Sequence, residues 1–254
     1  MTELAQMHSH TPEAHEEIHV PGPSIAPLLA SGGALCLAYS VISSSLPLLG
    51  LGVASIFIGV VAWLWGNLTI HAPDMGVELP KMAMWLFIGT EVMFFTALIV
   101  NYLVMRAAAP PGYNHLLNIP VTAVNTFVLL TSSLTVVLAL DAAQRDDRKR
   151  LVFWLLGTIV LGTLFVSVQA YEYTKLIEEG FTLDANRFGT AFFVLTGFHG
   201  SHVTIGVLWC LAVFMRARRG GFTATRWLGV EIFGLYWHFV DIVWILLFVL
   251  IYLI

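Results

Sequence analysis

Ionisable side chains stand inside long apolar stretches of this sequence, where they could carry protons, bind a metal ion or hold a polar headgroup. They are four acids and three histidines: Glu91, Glu172, Glu231, Asp241, His199, His202 and His238. A carboxylate at the centre of a bilayer costs about 2.5–3.5 kcal/mol on insertion scales, so these groups must face protein, water or a headgroup. Glu91 has no Lys or Arg within one helical turn, so we expect it to be neutral or to contact another helix or subunit.

The spacing of these residues places several of them on common helix faces. His199 and His202 lie three residues apart, which on a helix puts them on one side. Glu231, His238 and Asp241 follow at steps of seven and three, so on a helix they fall within a sector of about 80°. Two neighbouring helices thus each carry a polar stripe, and we expect the two stripes to hydrogen-bond to each other.

A metal or haem centre would need ligand patterns that this sequence lacks. Di-iron sites in four-helix bundles use Glu-x-x-His pairs, and none of the acids named above has a histidine three residues later. His199 and His202 are too close together to serve two stacked haems, and no Cys-x-x-Cys-His attachment occurs. We therefore expect no metal ligand and no catalytic residue in this chain. Polar links between helices are the first interpretation, and a proton path or a lipid-headgroup site is the alternative.

The elements that must position these residues are membrane-spanning helices. Of the 254 residues, 58% are hydrophobic and only 11% are charged, too few charges to cover a soluble protein of this size. A spanning helix needs about 20 mostly apolar residues. Seven stretches qualify: 26–45, 48–68, 82–105, 121–141, 151–172, 188–216 and 227–254. The sequence predicts an all-α polytopic membrane protein with a polar tail at 1–25, a two-helix hairpin at 26–68 and a five-helix core at 82–254.

Positive charges in the loops predict the orientation of these helices. Nine of the 12 Lys and Arg residues follow the second, fourth and sixth spans, and loops rich in such residues stay cytoplasmic. We therefore expect a cytoplasmic N-terminus and an external C-terminus. The tail has four histidines and four glutamates and lacks a secretory-signal pattern. A net charge of −4 with so few cations leaves no basic face for nucleic acid.

Aromatic and small polar residues in the spans have ordinary structural interpretations. An interfacial aromatic belt is expected of the rings placed near the predicted span ends, namely Trp63, Trp65, Tyr236, Trp237 and Tyr252. Hydrogen bonds between helices are expected of the polar residues in the fourth span, namely Asn125, Thr126, Thr131, Ser132 and Ser133.

Five short segments follow one another along the chain: Thr-Glu-Val-Met-Phe-Phe at 90–95, Asn-Thr at 125–126 with Leu-Thr-Ser-Ser at 130–133, Gln-Ala-Tyr-Glu-Tyr at 169–173, Thr-Gly-Phe-His-Gly-Ser-His-Val at 196–203 and Tyr-Trp-His-Phe-Val-Asp at 236–241. In this order they resemble subunit III of the haem-copper oxidases, the cytochrome c oxidase subunit III family. The last two segments are the most specific, and the resemblance covers about residues 65–254.

The resemblance implies seven transmembrane helices, with the first two splayed from a five-helix bundle by a cleft filled with phospholipid. It assigns lipid contacts to His71 and Arg216, with Trp63 and Trp65 beside them, and it matches Glu91 to a buried carboxylate on the third helix of the family. It places haem and copper in partner subunits, so this chain would hold no cofactor other than bound phospholipid. The implied partners are oxidase subunit I as the main contact, subunit II and membrane lipid.

The expected function is therefore that of a non-redox accessory subunit in a proton-pumping aerobic oxidase of a bacterial respiratory membrane. It would hold structural lipid, stabilise the catalytic subunit and support proton uptake while the complex passes electrons from cytochrome c to oxygen. Quinol oxidases have a related third subunit, usually with five helices, and a nitric-oxide-reductase accessory subunit is a further alternative. A rival of another class is a stand-alone proton or solute transporter with the histidines and acids as its relay.

Overall fold

The computed structural model describes residues 25–43, 45–69, 78–107, 117–183 and 186–254, and the regular structure within them is helical. His71 and the predicted polar tail up to residue 24 lie outside the described residues, as do the side chains of Trp63 and Trp65. The chain divides into two compact units, Met1–Met75 and Gly76–Ile254.

The first unit is a pair of antiparallel helices, α1 (Ala26–Ser43) and α2 (Leu46–Thr69). The two helices approach closely at Gly33 and Gly52. A Cβ atom on either glycine would lie 2.8–2.9 Å from the backbone oxygen of the other, so neither position has room for a side chain. Ser55 Oγ also donates to the Leu29 carbonyl at 2.8 Å. Small residues thus bring these two apolar helices into backbone contact.

The second unit consists of five long helices: α3 (Glu78–Arg106), α4 (Ile119–Gln144), α5 (Arg148–Glu178), α6 (Arg187–Arg218) and α7 (Leu228–Phe248). Asn118, Asp147 and Asn186 begin α4, α5 and α6, and each side chain accepts a hydrogen bond from a backbone N–H in the first turn. Such caps satisfy donors that a helix start leaves open. After α5 and α6 the chain turns at Gly180 and Gly220, whose φ angles of 82° and 75° favour glycine.

A π-helix at Val249–Leu253 continues α7 to the end of the chain. A π-helix has i→i+5 backbone hydrogen bonds in place of the i→i+4 bonds of an α-helix. Ile254 N donates to Val249 O at 3.1 Å, and Arg106 Nη1, at the end of α3, donates to Leu250 O at 3.1 Å. The last turn of the chain is therefore tied to α3.

Helix α7 packs against α3, α4 and α6 and carries much of the core of the second unit. Trp237 of α7 packs against glycines of two neighbouring helices, and only 1% of its surface is exposed. A Cβ atom at Gly206 of α6 would lie 2.6 Å from Trp237 Cζ3, and one at Gly162 of α5 would lie 2.9 Å from Cη2. The two glycines therefore make the space that the indole ring fills.

All five helices of the second unit are long and apolar enough to cross a membrane, over Leu79–Arg106, Ile119–Gln144, Arg148–Glu178, Arg187–Arg218 and Leu228–Leu253. The first unit contributes a shorter apolar stretch at Pro47–Gly59. The prediction of an all-α integral membrane protein is confirmed, with five of its spans. The first two spans and the lipid-filled cleft stay predictions.

Candidate functional site

Glu91 and His202 form a pair between α3 and α6, with Glu91 Oε2 3.2 Å from His202 Nε2. The side chains are 18% and 15% exposed, respectively. His202 Nδ1 lies 2.7 Å from the Phe198 carbonyl oxygen. Because a carbonyl oxygen can only accept, Nδ1 carries a hydrogen. The contact between Nε2 and Oε2 therefore holds one proton, which belongs either to the carboxyl group or to the imidazole.

Glu231, in the first turn of α7, pairs with Lys81 near the start of α3. The Lys81 Nζ atom lies 2.8 Å from Glu231 Oε2, and both side chains are about one-quarter exposed, at 26% and 22%. The same ammonium group stands 5.3 Å from the centre of the Trp227 ring, an arrangement in which a cation is attracted to the ring face. This cluster links the ends of α3 and α7 on one side of the unit.

Glu172 is buried near the other end of the unit, where three donors surround its carboxylate. Tyr252 OH donates to Oε1 at 3.0 Å, Thr122 Oγ1 donates to Oε1 at 3.2 Å, and Gln169 Nε2 donates to Oε2 at 3.4 Å. The carboxylate therefore joins α4, α5 and the π-helix that ends α7. Buried charged groups are stable only when hydrogen bonds replace their water in this way.

His199 is buried among aromatic rings rather than paired with an acid. Its ring stacks on Trp244 with 4.9 Å between centroids, and Phe165 and Phe95 meet it in edge-to-face arrangements with their centroids 6.1 Å and 6.4 Å away. Within the part of the chain that the structure describes, neither ring nitrogen has a hydrogen-bond partner. Trp244 itself donates to Thr126 Oγ1 at 2.9 Å, which links this aromatic group to α4.

His238 of α7 faces α4, where its ring meets a hydroxyl group. Ser133 Oγ lies 2.6 Å from His238 Nδ1. Asp241 is 5% exposed, and its Oδ1 atom has no partner among the described residues. Ser133 thus connects α4 to the imidazole of α7 inside the spanning part of the protein.

The prediction that the stripes on α6 and α7 hydrogen-bond to each other is wrong. His202 pairs with α3 and His199 packs on rings, while the stripe on α7 meets Lys81 of α3 and Ser133 of α4. The reason is that α7 lies against three helices at once, so its polar residues can find partners on helices that the spacing does not indicate. Among the described residues, no group of three His, Cys, Asp or Glu side chains could hold a metal ion.

The aromatic-belt prediction is also wrong for the three rings of α7 and its extension. Tyr236, Trp237 and Tyr252 are 3%, 1% and 5% exposed. They donate, in that order, to the His202 carbonyl at 2.9 Å, to Ser132 Oγ at 2.9 Å and to Glu172. Their polar atoms are satisfied by protein, so these rings serve as internal links between helices instead of facing the membrane surface.

Among the residues expected to contact lipid, only Arg216 has a described side chain. It lies in the last turn of α6, is exposed, and its guanidinium carbon stands 5.4 Å from the Phe222 ring centre. An exposed guanidinium at a helix end has the fork geometry that suits a phosphate group. His71, Trp63 and Trp65 keep the status of predictions.

Sequence reasoning missed Thr122 and Lys81 as partners of the ionisable residues, and it expected Ser133 to hydrogen-bond between helices without naming His238 as the partner. A pattern pointing to Thr122 existed, because Thr122, Thr126 and Ser133 follow at steps of four and seven and share one face of α4. Those side chains point towards α5 and α7. No such pattern pointed to Lys81, because the sequence placed this residue in a loop, where its charge served only to predict the orientation of the helices.

A sequence profile of cytochrome c oxidase subunit III matches residues 24–254, which is most of the chain. The chain belongs to this family. The resemblance inferred from the five short segments is thereby confirmed and extended through α1 and α2. Family membership makes the chain a subunit of a multi-subunit terminal oxidase, an oxidoreductase complex of respiratory electron transport.

Relatives in this family include subunits of both cytochrome c and quinol oxidases. Cytochrome c oxidase subunit 3 of Corynebacterium diphtheriae is 39% identical over 200 residues, covering 74% of this chain and 97% of the relative. The protein of the same name from Bacillus sp. PS3 is 35% identical, covering 68% of this chain and 84% of its own. Quinol oxidase subunit 3 of Bacillus spizizenii is 34% identical, with coverage of 69% and 87%.

Proposed function

We propose that this chain is a non-redox accessory subunit of a proton-pumping aerobic oxidase that transfers electrons from cytochrome c to oxygen. The observation that carries the proposal is the family match over residues 24–254. The geometry supports it, because most acids in the spans are joined to other helices: Glu91 to His202, Glu231 to Lys81 and Glu172 to Tyr252. These links stabilise the subunit internally, as a supporting protein requires. Haem and copper belong to partner subunits in this proposal.

The partners of the chain follow from the same proposal. The main contact is oxidase subunit I, with subunit II and phospholipid as further partners. Large apolar side chains are exposed on the helices of the second unit, including Met93 at 75% and Phe127 at 70%. Such surface suits lipid chains or the spanning helices of another subunit. Phospholipid would bind at Arg216 and His71, beside Trp63 and Trp65, in a cleft between two N-terminal helices and the other five.

Cytochrome c is the proposed electron donor of the complex, and quinol is the alternative. The 39% identity with a cytochrome c oxidase subunit 3, against 34% with a quinol oxidase subunit 3, favours cytochrome c. The donor is tested on the purified complex by supplying reduced cytochrome c and quinol separately. Faster oxygen consumption with quinol would replace the proposal by a quinol oxidase. A complex that reduces nitric oxide but not oxygen would instead indicate a reductase accessory subunit.

Support of proton uptake is the third part of the proposal. Acids and histidines at the cytoplasmic surface collect protons in this role, since histidine titrates near neutral pH. The orientation assumed here has a cytoplasmic N-terminus and an external C-terminus in a bacterial respiratory membrane. It places Lys81 and Glu231 at the cytoplasmic ends of α3 and α7.

The test is selective removal of this subunit from the purified complex, followed by measurement of oxygen consumption. We expect a lower initial rate at neutral pH and a shorter lifetime during turnover, both restored when the subunit is added back. An unchanged rate together with an unchanged lifetime would contradict the accessory function. A purified chain that carries no haem-containing partner and transports protons alone after reconstitution would support the transporter instead.

A further inference from the structure

His238 presents one of its two ring nitrogens to the surface of the second unit, inside the membrane-spanning part. The other nitrogen, Nδ1, lies 2.6 Å from Ser133 Oγ of α4, and Ser133 is the one hydrogen-bond partner of this imidazole in the described part of the chain. Nε2 has no partner there and is not closed off from the surface, and the residue as a whole is half-buried. The internal link to α4 therefore uses only half of the hydrogen-bonding capacity of the ring.

The imidazole lies near the middle of the spans. His238 is ten residues from the start of the span Leu228–Leu253, and Ser133 is 14 residues from the start of the span Ile119–Gln144. At 1.5 Å per residue these offsets are about 15 Å and about 21 Å, in a hydrocarbon layer about 30 Å thick. Lipid headgroups are therefore too far away to hydrogen-bond to Nε2, and acyl chains have no polar atom that could do so.

The surface around the imidazole is apolar and is shared by α4 and α7. One helical turn to either side of His238 and of Ser133 stand four hydrophobic side chains, namely Leu235 and Ile242 on α7 and Leu130 and Val137 on α4. None of these four side chains is buried, and Ile242 is 65% exposed. We call these four residues, together with His238 and Ser133, the His238 face.

We propose that the His238 face is the docking surface for a spanning helix of another subunit of the oxidase, and that this helix places a hydroxyl or amide side chain against His238 Nε2. The apolar side chains alone would suit lipid or a helix equally, but only protein brings a hydrogen-bonding group to this depth of the membrane. A hydroxyl or an amide fits because each can both donate and accept, and so serves Nε2 whichever ring nitrogen carries the hydrogen. A charged partner would cost more at this depth.

Other polar side chains on the exposed surfaces of the spans make no such demand on a partner. Thr131, Ser167, Ser201 and Thr204 are exposed, and each hydroxyl donates to a backbone carbonyl three or four residues earlier in its own helix. A hydroxyl that is satisfied in this way can face acyl chains. The His238 face differs because its polar atom has no acceptor or donor within reach on its own helix.

The docking surface is tested by photo-cross-linking in the purified, assembled oxidase complex, with p-benzoylphenylalanine in place of Ile242. We expect a covalent product with another subunit, which mass spectrometry of the product identifies. The matched control carries the same probe in place of Val160, a residue of α5 that is 57% exposed, where we expect lipid adducts. Lipid adducts alone from position 242, or a subunit product no more abundant than that from position 160, would overturn the proposal.

The hydrogen bond to Nε2 is tested by the rate at which the subunit dissociates from the complex in detergent. His238→Leu should speed dissociation by about fivefold, equivalent to ~1 kcal/mol, whereas His238→Gln keeps a donor and an acceptor and should lie closer to the native rate. Ser133→Ala removes the internal link and leaves Nε2 in place, so it should dissociate at the native rate. Equal acceleration in His238→Leu and Ser133→Ala would overturn the intersubunit bond. Should His238→Leu fail to assemble, the cross-linking comparison decides alone.

This inference rests on the proposed accessory function, because it takes the partner helix from the same complex, but the two fail in different ways. Lipid adducts alone from position 242 in an intact complex would remove the docking surface and leave the accessory function standing. Unchanged oxygen consumption and lifetime after removal of the subunit would remove the accessory function, while a cross-link from position 242 to an oxidase subunit would still support the docking surface.

Discussion

Replacing Gly206 by alanine should destabilise the second unit, whereas the same change at Gly200 of the same helix should not. A Cβ atom at Gly206 would lie 2.6 Å and 2.8 Å from two carbons of the Trp237 ring, whereas a Cβ at Gly200 meets nothing within 4 Å. Carbon atoms in contact sit about 3.5–4.0 Å apart, so the indole must move by about 1 Å. The ring is buried, and its Nε1 donates to Ser132 Oγ at 2.9 Å. It cannot swing aside without losing that hydrogen bond.

The magnitude follows from comparing the two alanine variants. Each gains about 1 kcal/mol of helix propensity over glycine, so the difference between them isolates the steric cost. Overpacking of a filled core costs about 1–3 kcal/mol, and we expect Gly206→Ala to be less stable than Gly200→Ala by that amount. The assay is loss of helical circular dichroism during titration of the purified chain, in mixed micelles, with sodium dodecyl sulfate. Equal midpoints for the two variants would refute the packing of Trp237 described above.

Further predictions concern hydrogen bonds, an ion pair and lipid. Tyr252→Phe removes one donor from Glu172 and should cost about 1 kcal/mol in the same titration, whereas Tyr171→Phe, an exposed ring, should cost nothing measurable. A double-mutant cycle of Lys81→Ala and Glu231→Ala should give a coupling of about 0.2–1 kcal/mol that falls with added salt, and a coupling of zero would contradict a stabilising ion pair. Arg216→Ala should lower the phospholipid that co-purifies with the complex, and an unchanged lipid content by mass spectrometry would remove Arg216 from the lipid site.

The positions of the spans could be predicted from the sequence because a spanning helix requires a run of consecutive apolar residues, which the sequence shows directly. The predicted span 188–216 became α6 over Arg187–Arg218, and 121–141 became α4 over Ile119–Gln144. The ends were less accurate. The predicted span 151–172 continues to Glu178 in α5, since polar residues such as Thr174 and Lys175 extend a helix without adding hydrophobicity.

The partners of the ionisable residues could not be predicted in the same way. Glu91 and His202 are 111 residues apart, and helix periodicity shows which residues share a face without showing which helix lies opposite. The same limit explains Tyr236, whose place near a predicted span boundary suggested a membrane surface. In the structure it is buried and donates to the His202 carbonyl. Nothing in the sequence named Trp237 as the ring that fills the space beside Gly162 and Gly206.

The π-helix at the end of the chain has a practical consequence for truncation and tagging. Leu250 accepts a hydrogen bond from Arg106 of α3, and Tyr252 donates one to Glu172 of α5. Deleting residues 249–254 would therefore remove the acceptor of the Arg106 guanidinium and one of the donors to the Glu172 carboxylate. An affinity label that replaces these residues would remove both hydrogen bonds.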